Sequence, residues 1–541
     1  MSEEKFGHWG LLLFFFCCLV AMILIHFLRR SKITYFHETG LNSLIGIIVG
    51  VFIKHCGGSE EIREFSGFKR EIFMILLLPH IIFESGYNLK KRNFFKNIVS
   101  ILLFAILGTL ITAFFVGGFL IIFSHKTSIF NLSTIECLLF GSIISATDPV
   151  SVLAIFQQLG VDPDLYANVF GESVLNDAIA IVLVETFLKF RDHDVTAVFI
   201  FKSLGVFFGV FLGSFGIGAL NAMISAFLIK HIKVRDFPII ETSILFLFAW
   251  CTYFLCEDLG LSGIAGILFC GIVQAHYSYL NLSEKSKELT KNLAHLLSFM
   301  SESFVFIYLG LAVFCFEHDF HVGIIFVAFF LCLISRFFNI APLSWINNKI
   351  KKNHQISAKK QFVLWFSGLR GAVSFALSVD LPTPHGPVIL TTTLIIVLIT
   401  IFLFGGLTTI VVKKLDVQVE NPPIPYMKNK GLLKLERKYI KPFLTHRKYD
   451  PAKYDPANYS PYPSNLEVPL LDSQNDKEEK IENPNEIELE NSNENQNQNP
   501  NEIELENQNE NQNENQNENE NQNQNEIENQ IENQNENQNI N

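Results

Sequence analysis

Apolar segments long enough to cross a membrane recur along this chain from residue 10 to residue 412. About 20 apolar residues span the hydrocarbon core of a bilayer as a helix. A spanning chain must satisfy its own backbone hydrogen bonds, which only helices and closed barrels achieve. The pattern therefore predicts an all-α polytopic membrane protein. We place thirteen spans at residues 10–28, 40–53, 72–88, 97–123, 136–157, 168–189, 200–229, 238–256, 261–278, 293–314, 322–345, 361–379 and 388–412.

The composition supports a membrane class. The chain of 541 residues is 49% hydrophobic and 18% charged, which is too apolar for a soluble multidomain protein. Its nine cysteines form no CxxC pair and no regular spacing, so neither a disulfide framework nor a zinc site is indicated. A cleaved signal peptide is the alternative for span 1, but its apolar run is long and "HFLRR" follows it without a clear small-residue cleavage site.

Net charge and amino-acid composition divide the chain into three regions. Residues 476–541 hold 19 acids and 2 lysines, so the remainder carries a net charge of +6 although the whole chain carries −11. We assign residues 1–415 to a transmembrane domain and residues 416–471 to a cytosolic juxtamembrane region. Residues 472–541 form an Asn/Gln/Glu-rich tract, which we expect to be a disordered low-complexity tail because such composition cannot bury a core. A partner-binding tail is the alternative reading.

Basic residues predict the orientation. They follow the odd-numbered spans in "LRRSK", "LKKRNFFK", "KHIKVR", "EKSKELTK", "NKIKKNHQISAKK" and "VKKLD", with basic exceptions after spans 2 and 6. Because Lys and Arg are enriched in cytoplasmic loops, the N-terminus is predicted outside or in the lumen and the C-terminus in the cytosol. The sequon at Asn131 then lies outside and is a glycosylation candidate, whereas the sequon at Asn281 lies in a cytosolic loop and should be unused.

Seven ionisable side chains lie within the predicted spans. Such groups are costly in a bilayer and usually mark a functional site. The set comprises Glu84, Asp148, Glu172, Asp177, Glu302, Arg336 and Arg370.

Two of the spans are predicted to be broken. Pro149 interrupts span 5, and Gly368 and Gly371 flank Arg370 in span 12. Paired interrupted helices in two halves of a chain are typical of transporters built from inverted repeats, with a substrate site between them. Simple kinking explains each break alone, but a charge beside both breaks (Asp148 and Arg370) favours the transporter interpretation.

"GESVLNDAIAIV", residues 171–182, places polar groups on two stripes of a helix. Ser173 and Asp177 are four residues apart and share a face, and Glu172 and Asn176 form the neighbouring stripe. Asp177, Ser173 and Thr147, with the backbone around Asp148, supply oxygen ligands, which alkali cations prefer.

A single buried carboxylate can hold a proton or a cation but not both comfortably. That competition is the basis of antiport. Because the neighbour of Asp177 is Asn176 and not a second acid, we predict that one charge enters for each charge that leaves. A buried unpaired carboxylate costs several kcal/mol, so Glu172 should have a partner, and either Arg336 or Arg370 can supply it.

Five segments resemble, in the same order, signature segments of the eukaryotic Na⁺/H⁺ exchangers of the monovalent cation/proton antiporter superfamily. They are "SATDPVSVLAIF", "FGESVLNDAIAIVL", "SESFVFIYLGL", "ISRFFNIAPLS" and "GLRGAVSFAL", and the similarity covers roughly residues 40–412. The wording of "SIISATDPVSVLAIF" is most similar to organellar members of endosomal or Golgi type. An endomembrane is therefore expected, with the plasma membrane as the alternative.

The resemblance implies a thirteen-span homodimer in lipid, with a dimerisation domain, a mobile core and no cofactor. Spans 5 and 12 would cross at the ion site, and the ligand there would be transported Na⁺ or K⁺, or H⁺. The roles implied are ion and proton binding by Asp177 with Asn176, ion ligation by Thr147, Asp148 and Ser173, accessory acid for Glu84, an ion pair of Glu172 with Arg336, and the crossover charge for Arg370.

Four alternatives remain to be weighed. A K⁺/H⁺ exchanger is possible because ion choice depends on sub-Å geometry. A cation channel should show repeated pore loops or charged rings, and a non-transporting scaffold predicts that Asp177 is dispensable. An enzyme is disfavoured because no nucleophile–base pair or nucleotide loop stands out, and nothing points to nucleic acid. The predicted function is electroneutral Na⁺/H⁺ antiport that regulates cytosolic or organellar pH.

Overall fold

A computed structural model gives the fold of the chain. Asn131, Pro149 and the whole Asn/Gln/Glu tract lie outside the residues that the structure describes, so the predictions made for them are not addressed by it. The described residues are 2–30, 37–56, 73–89, 91–126, 132–148, 152–153, 155–156, 159–190, 197–232, 236–316, 318–350, 355–379, 381–417 and 439–445.

The first half of the chain forms seven helices among the described residues, two of which contain π-helical turns. They are α1 (Ser2–Arg30), α2 (Glu38–Cys56), α3 (a π-turn, Phe73–Leu77, continuing as Leu78–Tyr87), α4 (Lys91–Leu102, a π-turn Leu103–Gly108, then Thr109–Lys126), α5 (Thr134–Ile143), α6 (Pro163–Lys189) and α7 (Ala197–His231).

The second half continues with eight more helices in the part of the chain that is described. They are α8 (Pro238–Asp258), α9 (Gly263–His276, then a 3₁₀ turn Ser278–Leu280), α10 (Glu284–Cys315), α11 (Val322–Ile350), α12 (Ala358–Phe366), α13 (Ala372–Ser378), α14 (Gly386–Ile399, a π-turn Thr400–Gly405, then Gly406–Leu415) and α15 (Lys441–Leu444).

Each of the thirteen predicted spans overlaps one of these helices or the α12–α13 pair, and α5 covers the first part of span 5. Among the described residues, eight helices are long and apolar enough to cross a membrane, and Phe15–Leu28, Phe73–Tyr87 and Thr134–Ile143 are shorter apolar helices. The all-α membrane fold is therefore confirmed.

Local capping fixes where the helices around the two breaks begin. Ser133 and Glu136 form a reciprocal capping box at the start of α5. The Asp162 side chain accepts the backbone N–H of Asp164 at 2.9 Å, and Pro163 occupies the first turn of α6. Glu136 also accepts the backbone N–H of His385 at 3.0 Å, which joins the start of α5 to the start of α14.

The helices pack as two groups. In the first, α2 lies along α10, α7 and α8 pack on α9, and α3 contacts both α9 and α10. In the second, α4 packs against α5, α6 and α11, and α13 packs against α14. Within the second group α6 is largely interior, because 89% of its most apolar window is buried, against 33% for Phe201–His231 of α7. The polar stretch of residues 171–182 therefore lies inside protein.

The helix is interrupted in both spans that the sequence predicts to be broken. The helix of span 5 ends with α5 at Ile143, and the described residues 144–148 after it are not helical. In span 12, α12 ends at Phe366 and α13 begins at Ala372, with non-helical backbone at residues 368–371. Irregular backbone at membrane depth is tolerated only where it is buried in protein or lines a cavity, so these two segments define the place to look for a site.

Candidate functional site

The two unwound segments are bonded to each other. The backbone N–H of Asp148 donates to the carbonyl oxygen of Leu369 at 2.9 Å. A Cβ atom added at Gly371 would overlap the Asp148 carboxylate, so this approach requires glycine. The crossing of spans 5 and 12 therefore brings Asp148 into the gap between α12 and α13.

Arg370 lies at the C-terminal end of α5, with 2% of its surface exposed. Its guanidinium Nη1 donates to the carbonyl oxygens of Ser145 and Ala146, at 3.2 Å each, and the Ser374 hydroxyl donates to the same Ala146 oxygen at 3.2 Å. Ser145 and Ala146 lie in the non-helical segment that follows α5, so their carbonyl oxygens need partners from outside a helix. Arg370 therefore stabilises the broken end of α5.

Thr147 ties the unwound segment of span 5 to α6. Its hydroxyl lies 3.1 Å from the Ser173 hydroxyl and accepts a hydrogen bond from the Asn176 amide at 2.5 Å. Its backbone N–H points at Asn176 Oδ1 at 3.4 Å. All three side chains are at most 2% exposed. They form a buried polar cluster of hydroxyl and amide groups.

This arrangement refines the helical stripes that the sequence predicted. Asn176 was placed on the Glu172 stripe, away from the ion-facing Ser173. The structure instead joins Ser173 and Asn176, which are three residues apart, through their shared partner Thr147. Helical neighbours at three and four positions are equally close, so the sequence alone did not decide between the two pairings.

Asp177 lies one residue beyond this cluster with 9% of its surface exposed. Its Oδ1 atom is buried and has no hydrogen-bond partner among the described residues. Asp148 and Arg370 are charged groups close enough to act on it. A buried carboxylate oxygen without a partner is costly, so this oxygen makes Asp177 a candidate ligand-binding group.

Glu172 forms a buried bidentate ion pair with Arg336. Arg336 Nη1 contacts Glu172 Oε1, and Nη2 donates to Oε2 at 3.2 Å and to the carbonyl oxygen of Leu364 at 3.0 Å. Their side chains are 1% and 6% exposed. Of the two arginines left open by the sequence, Arg336 is the one that holds Glu172. A Cβ atom at Gly368 would press on this guanidinium.

Glu84 lies on α3, where its carboxylate meets the C-terminal end of that helix and a residue of α10. Within the described residues its carboxylate accepts a hydrogen bond from Asn88 at 3.0 Å and lies 3.6 Å from His295 Nδ1. Glu302 accepts the Ser298 hydroxyl at 3.3 Å, and the carboxylates of Glu84 and Asp148 both act on it electrostatically. The sequence counted Glu302 among the membrane acids but gave it no role.

These groups can coordinate a hard cation. Carboxylate, hydroxyl and amide oxygens are the ligands that such ions prefer. In the part of the chain that the structure describes, no set of three or more His, Cys, Asp or Glu side chains is placed to hold a metal. The candidate cation site instead combines the Asp177 carboxylate with the uncharged oxygens of Thr147, Ser173 and Asn176.

Comparison with known proteins gives a family and relatives. The profile of the family described as "Sodium/hydrogen exchanger, transmembrane" matches residues 13–414. The chain is 36% identical to sodium/hydrogen exchanger 9 of Mus musculus, with 82% of each chain covered. It is 42% identical to sodium/hydrogen exchanger 8 of Rattus norvegicus, with 76% of this chain and 73% of the relative covered. For sodium/hydrogen exchanger 5 of Arabidopsis thaliana the identity is 37%, with 82% and 86% covered.

A solved structure shares the fold. The sodium proton antiporter MjNhaP1 of Methanocaldococcus jannaschii superposes with a TM-score of 0.59 at 18% sequence identity. The match covers 76% of this chain and 99% of the antiporter chain. The two chains therefore share a fold.

Proposed function

The chain belongs to the sodium/hydrogen exchanger family and exchanges Na⁺ for H⁺ across a membrane, and we propose that Asp177 is the group for which the two ions compete. The observation that carries this proposal is the buried, unpartnered Oδ1 of Asp177 beside a cluster of uncharged oxygens. A cation at this position takes Asp177 as its charged ligand and draws further ligands from Thr147, Ser173, Asn176 and Asp148.

Competition at one carboxylate yields coupled exchange. When Na⁺ leaves, the carboxylate is left charged in a buried site, which is costly unless a proton neutralises it. The proton-loaded and the cation-loaded site then carry the same net charge, because Asn176 contributes an amide where a second acid would add a charge. Exchange is therefore electroneutral, at one cation per proton.

Conformational change carries the site between the two sides of the membrane. The second group of helices, which contains both breaks, moves against the first group, and the site alternates its access with it. Glu172 and Arg336 hold α6 to α11 within the moving group throughout the cycle. The first group supplies the interface of a homodimer in the lipid bilayer, and it does not carry the ion ligands of α5 and α6.

Position in the cell follows from the loop charges and from the resemblance to organellar members. The chain lies in an endomembrane of endosomal or Golgi type, or in the plasma membrane, with its C-terminus in the cytosol, and it regulates cytosolic or organellar pH.

Residues 416–471 form a cytosolic juxtamembrane region, and residues 472–541 are a low-complexity tail that transport does not need. Removal of residues 476–541 leaves the exchange rate unchanged; loss of transport would contradict a passive tail.

An exchange assay in vesicles tests the role of Asp177. A vesicle holding a pH gradient loses it when Na⁺ is added if the protein exchanges the two ions. Asp177→Asn should abolish this response, whereas Asp258→Asn, a matched change at the exposed end of α8, should leave it intact. Exchange by Asp177→Asn at the wild-type rate would remove Asp177 from the proposal.

Cation choice and charge balance are measured in the same vesicles. Titration with Na⁺ and with K⁺ compares the two cations, and we propose that Na⁺ is carried and K⁺ is an additional substrate. Electroneutral exchange predicts a rate that does not change when the membrane potential is clamped. A rate that follows the potential would contradict the one-for-one stoichiometry.

A further inference from the structure

Thr400, a residue of α14, contacts the backbone of Arg370, and the roles proposed above for the ion-site residues do not account for this contact. It is the first residue of the π-turn Thr400–Gly405, and its side chain is buried, with 6% of the residue exposed. Its hydroxyl oxygen accepts the backbone N–H of Arg370 at 3.1 Å and lies 3.3 Å from the carbonyl oxygen of the same residue. One side chain thus serves both peptide groups of Arg370.

The backbone at Arg370 needs such a partner because it is not helical. Residues 368–371 connect α12 to α13, so their N–H and carbonyl groups lack the partners that a helix provides. Leu369 uses its carbonyl oxygen for the N–H of Asp148. Arg370, the next residue, obtains its partner from α14 instead. A buried peptide group without a partner is unfavourable, so Thr400 decides whether this conformation of span 12 is stable.

The π-turn explains how α14 presents this hydroxyl. A π-turn adds one residue to a helical turn, leaving carbonyl groups with altered partners, and such turns are frequent at functional sites. The Thr400 hydroxyl also lies 3.0 Å from the carbonyl oxygen of Val397, one turn back in its own helix. Its single proton is therefore shared between Val397 and Arg370, while its lone pair accepts the Arg370 N–H.

We propose that Thr400 is a positioning residue for the ion site, which acts by fixing the backbone of Arg370. The Arg370 guanidinium can reach the Ser145 and Ala146 carbonyls only while its backbone is held in this conformation. Those carbonyls precede Thr147 and Asp148, so a shift of Arg370 displaces the ligands of span 5. The inference rests on the proposed ion site, which it extends by one element, α14.

Substitution at Thr400 separates positioning from packing. Thr400→Val keeps the shape but removes the hydroxyl, and Thr400→Ser keeps the hydroxyl but removes a methyl group. The control is Thr408→Val two turns later, where a buried threonine donates to the Phe404 carbonyl of its own helix, at 2.8 Å. We expect Thr400→Val to raise the KM for Na⁺ by about ten-fold with a smaller change in maximal rate, and Thr400→Ser and Thr408→Val to match the wild type.

A second measurement does not depend on transport. Na⁺ bound to the folded state raises the melting temperature of the purified protein. We expect Thr400→Val to lose most of this Na⁺-dependent increase and Thr400→Ser to retain it. If Thr400→Val accumulates poorly, Thr400→Ala is measured by the same criterion in its place.

The outcomes distinguish this inference from the ion site it depends on. An unchanged KM and an unchanged Na⁺-dependent melting shift in Thr400→Val, with exchange abolished in Asp177→Asn, would overturn only the role of Thr400. An equal rise in KM for Thr400→Val and Thr408→Val would also overturn it, because general packing of α14 would then be responsible. Retained exchange in Asp177→Asn would instead overturn the proposed ion site.

Discussion

The backbone N–H of Asp148 donates to the carbonyl oxygen of Leu369 at 2.9 Å, across a gap of more than 200 residues in sequence. Through this bond the unwound segments of spans 5 and 12 hold each other in register. The non-helical backbone beside the ion site therefore depends on contacts between the two spans. The first prediction addresses the space that this contact requires.

Substitution of Gly371 tests the close approach of the two spans. Gly371→Ala places a methyl group on the Asp148 carboxylate. We expect the exchange rate to fall by about ten-fold or more, because small displacements of positioned groups have large effects on rate. Gly118→Ala is the control, since a Cβ atom there meets no neighbouring atom within 4 Å. Equal exchange rates for both variants, measured in vesicles at matched protein amounts, would contradict a tight crossing.

The pair of Glu172 and Arg336 should behave as a unit in stability. Glu172→Gln leaves the Arg336 charge buried without its partner, which costs roughly 3–5 kcal/mol. The double variant Glu172→Gln with Arg336→Gln removes both charges and should recover most of the folded protein. The yield of monodisperse protein and its melting temperature in detergent measure the effect. A double variant less stable than either single variant would argue that the two residues do not depend on each other.

Asn176 is predicted to set the charge balance of exchange. Asn176→Asp keeps an oxygen near the Thr147 backbone N–H but loses the amide that donates to the Thr147 hydroxyl. The site then carries a second carboxylate, and like charges at close range favour an additional cation or proton. We expect the exchange rate to become dependent on membrane potential. The comparison is made in vesicles with the potential clamped at zero or at a negative value, with the wild type as control. A rate independent of potential in the variant would contradict this role.

The sequons at Asn131 and Asn281 give a test of orientation. The Asn281 side chain is 1% exposed and donates to the carbonyl oxygens of Ala226 and Leu444, at 2.8 Å each, so it is not accessible in the folded protein. Asn131 lies in the loop that the basic residues place outside. We therefore expect a glycosidase to lower the apparent mass of the wild type on a gel and to leave Asn131→Gln unchanged. A mass shift that persists in Asn131→Gln would contradict the proposed topology.

The sequence was most informative where the membrane restricts the choice of structure. A bilayer admits helices of known length, so the apolar runs determined thirteen spans, and charges inside them identified Asp177, Glu172 and Arg370 as residues to explain. Pro149 with Asp148, and the two glycines around Arg370, indicate the breaks in the sequence itself. These signals are local, because each depends on a residue type in an apolar context.

Other features depended on partners distant in sequence. Nothing in the run around Thr400 distinguishes it from other threonines in apolar helices, and its role appears only when α14 packs beside residue 370. The Glu84 carboxylate and His295 Nδ1 lie 3.6 Å apart although more than 200 residues separate them in sequence, so the sequence alone does not pair them.

The sequence by itself determined the membrane class, the number of spans, the places where two of them break and which acidic residues lie inside them. The tertiary structure decided which arginine holds Glu172, that Ser173 and Asn176 meet on Thr147, and that Asp177 alone of this set keeps a buried oxygen unpartnered among the described residues. The physical reason is that burial cost and helical periodicity are properties of a single segment. Hydrogen-bond partners in an unwound backbone are chosen by whichever distant helix packs against it.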